Sequence, residues 1–241
     1  MKSMHSAKIG AIIPAAGRGQ RMGGQGNKLF LELAGTPILL CALKTFEACP
    51  YIREIVIPAA VSDISGIRKL VRDNGLRKVT SIVEGGQERQ DSVAKALQAL
   101  GPNIQRVVVH DGARPLLSLK DLNNFLSEAE SLEAAIMAVP LKDTIKKVDK
   151  QGWVVETPLR EYLRAIQTPQ IFGRQLLEKV HKLALTEGYS GTDDASLVEW
   201  QGYAVKVLRG SYENIKVTTP EDLLLAEAIL RRREDTKGNE S

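Results

Sequence analysis

Short apolar runs alternate with amphipathic segments along the first 140 residues of the chain. The apolar runs have the length of buried strands and cover residues 9–13, 54–57, 79–83, 106–109 and 134–139. Between them, apolar residues recur with helical spacing over residues 37–48, 62–72, 89–100 and 119–131. Strands that alternate with helices pair in parallel and carry helices on both faces. The sequence therefore predicts an α/β fold with a mostly parallel, twisted sheet flanked by helices.

The alternation stops between residues 140 and 167. Residues 144–148 and 153–157 flank a four-residue turn, which predicts a β-hairpin that projects from the sheet as an arm. Trp153 would be costly to leave exposed, and a partner subunit could cover it. The alternative is a hairpin that folds back on its own domain. Beyond the arm, the pattern predicts helices and one strand at residues 173–187, 193–200, 205–208 (the strand) and 220–232, with Thr219 as the N-cap of the last helix.

Composition narrows the class of protein. The 241 residues carry a net charge of only +4, and aromatic residues make up 5%. Basic runs interleaved with aromatics are missing from the sequence, which argues against nucleic acid as a partner. No run reaches the roughly 18 apolar residues of a membrane span, and residues 1–8 do not resemble a signal peptide, so we expect a cytoplasmic protein. Cys41 and Cys49 would lie about 12 Å apart along one helix, too far for a disulfide.

A glycine-rich loop follows the first predicted strand. It runs through Ala15, Ala16, Gly17 and Gly19, and Arg21 and Lys28 add positive charge. Backbone N–H groups in such a loop, with cations nearby, form a cradle for phosphates. The alternative is a surface loop with solvated cations. Met22 breaks the G-x-G-x-x-G pattern, which disfavours an NAD-dependent dehydrogenase. The loop is not a Walker A motif either, because Lys28 lies between Asn27 and Leu29.

Two further loops follow predicted strands and should meet the first loop at the carboxyl edge of the sheet. In one, backbone groups at Gly86 and Gln87 could contact a nucleotide base and Ser92 could hydrogen-bond its ring, although Ser92 or Asp91 could also cap the next helix. In the other, Asp111 could bind Mg²⁺ and Arg114 an anion. The alternative there is an ion pair between these two side chains.

Three more candidates are weaker when taken alone. Thr144 lies at the start of the arm, Thr192 has the position of an ordinary N-cap, and Lys216 has that of a surface lysine. The sequence shows no Ser/His/Asp set and no cysteine nucleophile. A phosphate nucleophile would need neither, because a phosphate monoester is mostly dianionic at pH 7. Alignment and charge cancellation would then be sufficient for the reaction.

Eight segments, in this order, resemble the 2-C-methyl-D-erythritol 4-phosphate (MEP) cytidylyltransferases of the non-mevalonate isoprenoid pathway. They span nearly the whole chain and read PAAGRGQRM, NKLFLELAGTPIL, EGGQERQDSV, VHDGARP, VPLKDTIK, QTPQIF, GTDDASLVE and NIKVTTPEDLLLAEAIL. The resemblance implies a Rossmann-like nucleotidyltransferase fold, formed here by one domain over residues 1–241, and a homodimer joined by β-arms at about residues 141–166. It implies CTP and MEP as substrates and Mg²⁺, or another divalent cation, as cofactor.

The resemblance also assigns roles to residues. Arg21 and Lys28 match the stabilisers of the transition state, and Asp111 matches a metal ligand and substrate contact. The nucleotide-binding matches are Ala15, Ala16, Gly17, Gly19, Gly86, Gln87 and Ser92. The matches to MEP contacts are Asp111, Arg114, Thr144, Arg160, Thr192 and Lys216, of which Arg160 and Lys216 are also expected to be catalytic. Arg160 is placed by counting back from residues 168–170, and Arg164 is its rival.

Two other functions stay open at this point. A cytidylyltransferase for ribitol 5-phosphate would share the architecture, but its first loop usually has Ala-Gly-Gly where this chain has Ala15, Ala16 and Gly17. A non-catalytic CTP-binding regulator would not need the set Arg21, Lys28, Asp111 and Lys216, whose presence argues against it. The cyclodiphosphate synthase domain that is fused to some relatives is not expected here.

Overall fold

A seven-stranded sheet forms the centre of the protein. The computed structural model describes residues 8–16 and 27–238, with side chains up to residue 235. In chain order the strands are β1 (Ile9–Ile12), β2 (Glu32–Leu33), β3 (Thr36–Pro37), β4 (Ile52–Ala59), β5 (Val79–Glu84), β6 (Arg106–Val109), β7 (Ala134–Pro140), β8 (Lys147–Val148), β9 (Val154–Glu156), β10 (Arg164–Gly173) and β11 (Lys206–Arg209). The sheet has the order β11-β7-β10-β6-β1-β4-β5, while β2 pairs with β3 and β8 with β9.

Helices cover both faces of the sheet. They are α1 (Ile38–Ala48), α2 (Val61–Asp73), α3 (Arg89–Ala99), α4 (Leu119–Glu128), α5 (Arg174–Glu187), α6 (Asp194–Trp200) and α7 (Pro220–Gly238). Successive residues of a strand point to opposite faces. Accordingly, Ala11 belongs to an apolar cluster with α1, α2, α4 and α7, whereas Ile12 belongs to a second cluster with α3, α5 and α6. The predicted α/β fold is confirmed.

The bounds of the predicted elements agree to within a few residues. β4 is longer than predicted, and α4 ends at Glu128 rather than at residue 131 because the chain turns at Ala129. The final helix continues past Arg232, and its predicted N-cap is confirmed, since the N–H of Asp222 donates to Thr219 Oγ1 at 3.4 Å. Cys41 and Cys49 are free thiols. None of the described helices is long and apolar enough to cross a membrane.

One central strand was missed by the sequence analysis. β10 lies between β6 and β7 and is antiparallel to both, so the sheet is mixed rather than wholly parallel. Proline is unfavourable inside a strand because it cannot donate to a ladder, and the pairing of β10 with β7 is irregular around Pro169, between Ile166 and Gln170. Gln170 is buried and polar, so it hid the apolar pattern. Its side-chain N–H donates a hydrogen bond to Asp193 Oδ2 at 2.7 Å, so this buried donor has a partner.

The predicted arm is present, with shorter strands than expected. β8 and β9 are antiparallel, and Asp149 Oδ1 closes their turn by accepting from the N–H groups of Gln151 and Trp153 at 3.0 and 2.9 Å. Trp153 is 76% exposed, and Val154 and Val155 are also exposed. The alternative of a hairpin packed against its own domain is therefore wrong.

Candidate active site

A crevice opens at the carboxyl ends of β1, β4, β5 and β6. Seven of the residues singled out from the sequence line it, namely Ala16, Lys28, Gly86, Gln87, Ser92, Asp111 and Lys216. The three loops that the sequence placed at one edge of the sheet therefore do meet. Gly17, Gly19 and Arg21 lie outside the described residues.

The first loop is tied together at its two described ends. Ala15 is fully buried and bridges to Ala59 beside it. The side-chain amide of Asn27 donates to the carbonyl of Ala15 at 2.9 Å and to Asp63 Oδ2 at 2.8 Å. Asn27 Oδ1 also accepts from the N–H of Leu29, which caps the short helical turn that carries Lys28. The sequence analysis did not single out Asn27. The available signal was an asparagine directly before a helical turn.

Two lysines reach the crevice from distant parts of the chain. Lys28 Nζ donates to the carbonyl of Val217 at 2.8 Å. Lys216 is the residue directly before Val217. Its ammonium lies 2.8 Å from Asp111 Oδ2, and its side chain is 42% exposed. Two cations that are 188 positions apart in the sequence are thus anchored to one short segment, 216–217. Lys216 is therefore more than a surface lysine.

The glycine turn after β5 has no room for side chains. A Cβ at Gly86 would lie 2.0 Å from Asp91 Cβ, and one at Gly85 would lie 2.7 Å from Ala16 Cβ. Ser92 is 1% exposed; its Oγ accepts from the N–H of Gly86 at 2.9 Å and donates to the carbonyl of Glu88 at 3.0 Å. Ser92 therefore shapes the turn, and Asp91 forms the capping box of α3 with Glu88.

Asp111 is paired with two cations, and neither of them is Arg114. Arg89 Nε lies 3.1 Å from Asp111 Oδ1, and Lys216 binds Oδ2. Burial alone would raise the pKa of Asp111, but Arg89 and Lys216 outweigh it and hold the pKa well below its usual range. Arg114 instead donates to the carbonyls of Asn214 at 2.7 Å and Ile166 at 3.4 Å. The alternative of an Asp111–Arg114 ion pair is therefore wrong.

Arg89 is the main residue that the sequence analysis missed. Its guanidinium also donates to Asp194 Oδ2 at 2.7 Å, and Asp194 Oδ1 lies 3.1 Å from His181 Nε2. Burial would lower the pKa of Arg89, but Asp194 and Asp111 raise it further above its usual value, so the charge is permanent. The available signal was an arginine in the first turn of a helix, directly after the glycine turn.

Asp111 is the predicted metal ligand, and it offers a single carboxylate whose two oxygens already accept from cations. Among residues 8–16 and 27–235, no group of three or more His, Cys, Asp or Glu side chains could hold a metal ion. Mg²⁺ is often bound by one or two carboxylates together with substrate phosphates. The described residues therefore fit a Mg²⁺ ion that enters with a phosphate ligand, rather than one held by protein groups alone.

Four predicted MEP contacts do not line the crevice: Arg114, whose partners are given above, and Thr144, Arg160 and Thr192. Thr144 and Arg160 are exposed on the arm, where Arg160 donates to the carbonyl of Lys142 at 2.7 Å. The rival Arg164 donates to the nearby carbonyl of Glu161 at 2.7 Å. Thr192 is exposed, and the prediction that it could be the N-cap of α6 is wrong. The N-cap is Asp193, because its side chain accepts from the N–H of Ser196.

Fold and site together define an α/β nucleotidyltransferase: a mostly parallel sheet whose carboxyl edge carries a glycine turn and converging cations. The family model described as "2-C-methyl-D-erythritol 4-phosphate cytidylyltransferase" matches residues 9–232. The chain belongs to this family.

Individual relatives agree with the family assignment. The chain is 46% identical to the 2-C-methyl-D-erythritol 4-phosphate cytidylyltransferase of Pelotomaculum thermopropionicum over 94% of this chain and 96% of that protein. It is 49% identical to the enzyme of the same name from Symbiobacterium thermophilum over 92% of each. Among solved structures, 4-diphosphocytidyl-2C-methyl-D-erythritol synthase from Anaerococcus prevotii superposes with a TM-score of 0.83 at 32% identity, covering 94% of this chain and 99% of that one.

Proposed function

We propose that this chain transfers the cytidylyl group of CTP to the phosphate of MEP, giving 4-diphosphocytidyl-2-C-methyl-D-erythritol and pyrophosphate. The reaction is that of its family. The observation that carries the proposal for this chain is the meeting of Lys28 and Lys216 at one crevice, opposite a glycine turn that excludes side chains. Cations there lower the repulsion between two anionic substrates.

The chemistry is a single in-line displacement. An oxygen of the MEP phosphate attacks the α-phosphorus of CTP, and the bond from that phosphorus to the β-phosphate bridging oxygen breaks. The attacking phosphate is already ionised at neutral pH, so no general base and no covalent enzyme intermediate are needed. The protein contributes alignment and positive charge.

Each cation has a proposed task. Lys28 and Arg21 neutralise charge that develops on the α-phosphate and the leaving pyrophosphate. Lys216, together with Arg160, holds the MEP phosphate in line. Asp111 would hold a Mg²⁺ ion that enters with the triphosphate, and the ion would supply further neutralisation of negative charge.

The nucleotide and the acceptor take different walls of the crevice. The first loop (Ala15, Ala16, Gly17 and Gly19) surrounds the ribose and phosphates, while backbone groups of Gly86 and Gln87, with Ser92 behind them, face the cytosine. A site built for the cytosine amine leaves groups unpaired against uracil, which costs on the order of 1–3 kcal/mol each. Asp111, Arg114 and Thr192 are the proposed further contacts of the MEP acceptor.

The arm completes the site of a second copy. Thr144 and Arg160 are assigned to the acceptor but are exposed on the arm of this chain, away from the crevice wall. The arm also exposes Trp153, Val154 and Val155, an apolar surface that suits burial in a subunit interface. We therefore propose one nucleotidyltransferase domain per chain and a homodimer joined by the arms. The two free thiols agree with a cytoplasmic location.

A matrix of substrates tests the function. Pyrophosphate release is measured with CTP, UTP or ATP against MEP or ribitol 5-phosphate. We expect release with CTP and MEP to exceed every other pair by at least about tenfold, as a single mismatched polar contact would give. Faster release with ribitol 5-phosphate would favour the sister enzyme, and tight CTP binding without release on either acceptor would favour a regulator.

The dimer is tested separately by light scattering. Trp153→Ser is expected to shift the particle from dimer to monomer and to lower turnover, because Arg160 and Thr144 would leave the partner's site. Leu185→Ser removes an exposed apolar side chain on α5, outside the arm, and serves as the control. It should leave the mass of the particle unchanged. A monomeric wild-type protein with full turnover would remove the arms from the mechanism.

A further inference from the structure

Arg89 connects the crevice to two buried ionisable side chains that the proposed reaction does not use. On one side its Nε lies 3.1 Å from Asp111 Oδ1; on the other its Nη1 lies 2.7 Å from Asp194 Oδ2. Asp194 is the first residue of α6, and its other oxygen lies 3.1 Å from His181 Nε2 on α5. The side chains of Asp194 and His181 are 1% and 3% exposed. Arg89 is therefore anchored from the interior by two helices.

The linked side chains His181, Asp194, Arg89, Asp111 and Lys216 form what we call the positioning series. It ends at Lys216, a cation that would otherwise sample many conformations. Lys216 is 42% exposed, and its ammonium contacts the second oxygen of Asp111 at 2.8 Å. An exposed lysine samples many rotamers, and ordering it costs entropy. Asp111 itself is held by Arg89 and by its backbone N–H, which donates to Thr168 Oγ1 at 3.0 Å. Charged groups joined in this way act as a unit, since each orients the next.

We propose that Arg89 is a positioning residue: anchored by Asp194, it fixes the carboxylate of Asp111, which in turn fixes the ammonium of Lys216 where the acceptor phosphate binds. This inference rests on the proposed function only for the role of Lys216 as an acceptor contact. It assigns to Arg89, Asp194 and His181 a task that acts mainly on the acceptor, through Lys216, and on the nucleotide only through the Mg²⁺ ligand Asp111.

Kinetics of two conservative variants test the proposal. Arg89→Lys keeps the charge but cannot bridge two carboxylates, and Asp194→Asn keeps the shape but loses the anchor. Both are expected to raise the KM for MEP about tenfold, in the range of coupled neighbours, and to raise the KM for CTP by a several-fold smaller factor. Equal changes in the two KM values would overturn the proposal.

Arg106 offers a matched control at the start of β6, the strand that leads into the loop of Asp111. It is 9% exposed, and its guanidinium donates to the carbonyls of Ala129 and Leu132 at 2.9 and 2.6 Å. Arg106→Lys is expected to lower the melting temperature without changing either KM. If it raised the KM for MEP as much as Arg89→Lys does, the effect would be one of general stability and the proposal would fail.

Two further measurements show whether Asp194 acts through Lys216. In a Lys216→Met background, Asp194→Asn is expected to have no further effect on the KM for MEP, because its effect passes through the missing ammonium. Independently of activity, the rate at which acetic anhydride acetylates Lys216, followed by mass spectrometry, is expected to rise several-fold in Asp194→Asn as the ion pair with Asp111 loosens.

The acetylation rate separates the two proposals. If the wild-type protein transferred no cytidylyl group but Asp194→Asn still raised the acetylation of Lys216, the function would be wrong and the positioning series right. If Asp194→Asn left the acetylation rate unchanged in an active enzyme, the series would be wrong and the function would stand.

Discussion

The ammonium of Lys28 is hydrogen-bonded at 2.8 Å to the carbonyl of Val217, a residue 189 positions further along the chain. The N–H of Val217 donates in turn to the carbonyl of Ala113 at 2.8 Å. Val217 therefore joins the segment after the first loop to the loop of Asp111. The backbone of one buried residue sets the spacing between charges that come from three separate parts of the sequence.

Lys28→Ala tests the charge at the α-phosphate. Turnover is expected to fall on the order of 10³-fold, as for the loss of one transition-state donor, while the circular dichroism spectrum stays that of the wild type. Lys44→Ala, at an exposed site on α1, serves as the control in the same pyrophosphate assay. Near-normal turnover of Lys28→Ala would remove this lysine from the mechanism.

Asp111→Asn is expected to lower both activity and stability. Asparagine cannot balance Arg89 and Lys216, so about 1–3 kcal/mol of unfolding free energy should be lost in urea titrations. Asp73→Asn breaks the surface ion pair with Lys69 and should cause no measurable loss, because water screens exposed charges. Equal stability of Asp111→Asn and the wild type would mean that the ion pairs at Asp111 contribute nothing net.

The glycine turn can be tested sterically. Gly86→Ala places a Cβ 2.0 Å from Asp91 Cβ, so the turn must shift, at a cost of about 1–3 kcal/mol. We expect calorimetry to show weaker CTP binding. In Gly66→Ala, within α2, the new Cβ meets only the edge of the Phe30 ring at 3.2 Å, and CTP affinity should not change. Wild-type affinity in Gly86→Ala would place the base elsewhere.

His110 should make stability depend on pH. It is fully buried, and burial lowers its pKa from 6.5 to about 4. Between these two values the unfolded chain binds the proton and the folded protein does not, so stability rises with pH over that window, by at most about 3 kcal/mol. Urea titrations at pH 4.5 and 7 measure the slope, and His110→Gln should reduce it. An NMR titration that gave His110 a pKa near 6.5 would contradict this account.

The sequence predicted those strands and caps that depend only on residues within one short segment. Apolar runs gave β1 and β6, and the N-cap at Thr219 followed from residue type alone. β10 was missed because its centre is polar and contains Pro169, and its place in the sheet depends on partners distant in sequence, such as Asp193 for Gln170.

The site was predicted as a set of loops but not as a set of contacts. Asp111 and Arg114 are close in sequence and suggested an ion pair, yet Asp111 pairs with Arg89 and Lys216. Sequence spacing cannot rank such partners, because the choice is made by tertiary packing. Lys216 had no local signal at all.

The arm leaves the sheet between two strands that are themselves neighbours. Pro140 at the end of β7 is the direct ladder partner of Arg164 at the start of β10. The arm is thus an insertion between two strands that already pair with each other as an antiparallel hairpin. Insertions or deletions between these two residues would leave the pairing of β7 with β10 unchanged, so the length of the arm can vary without altering the sheet.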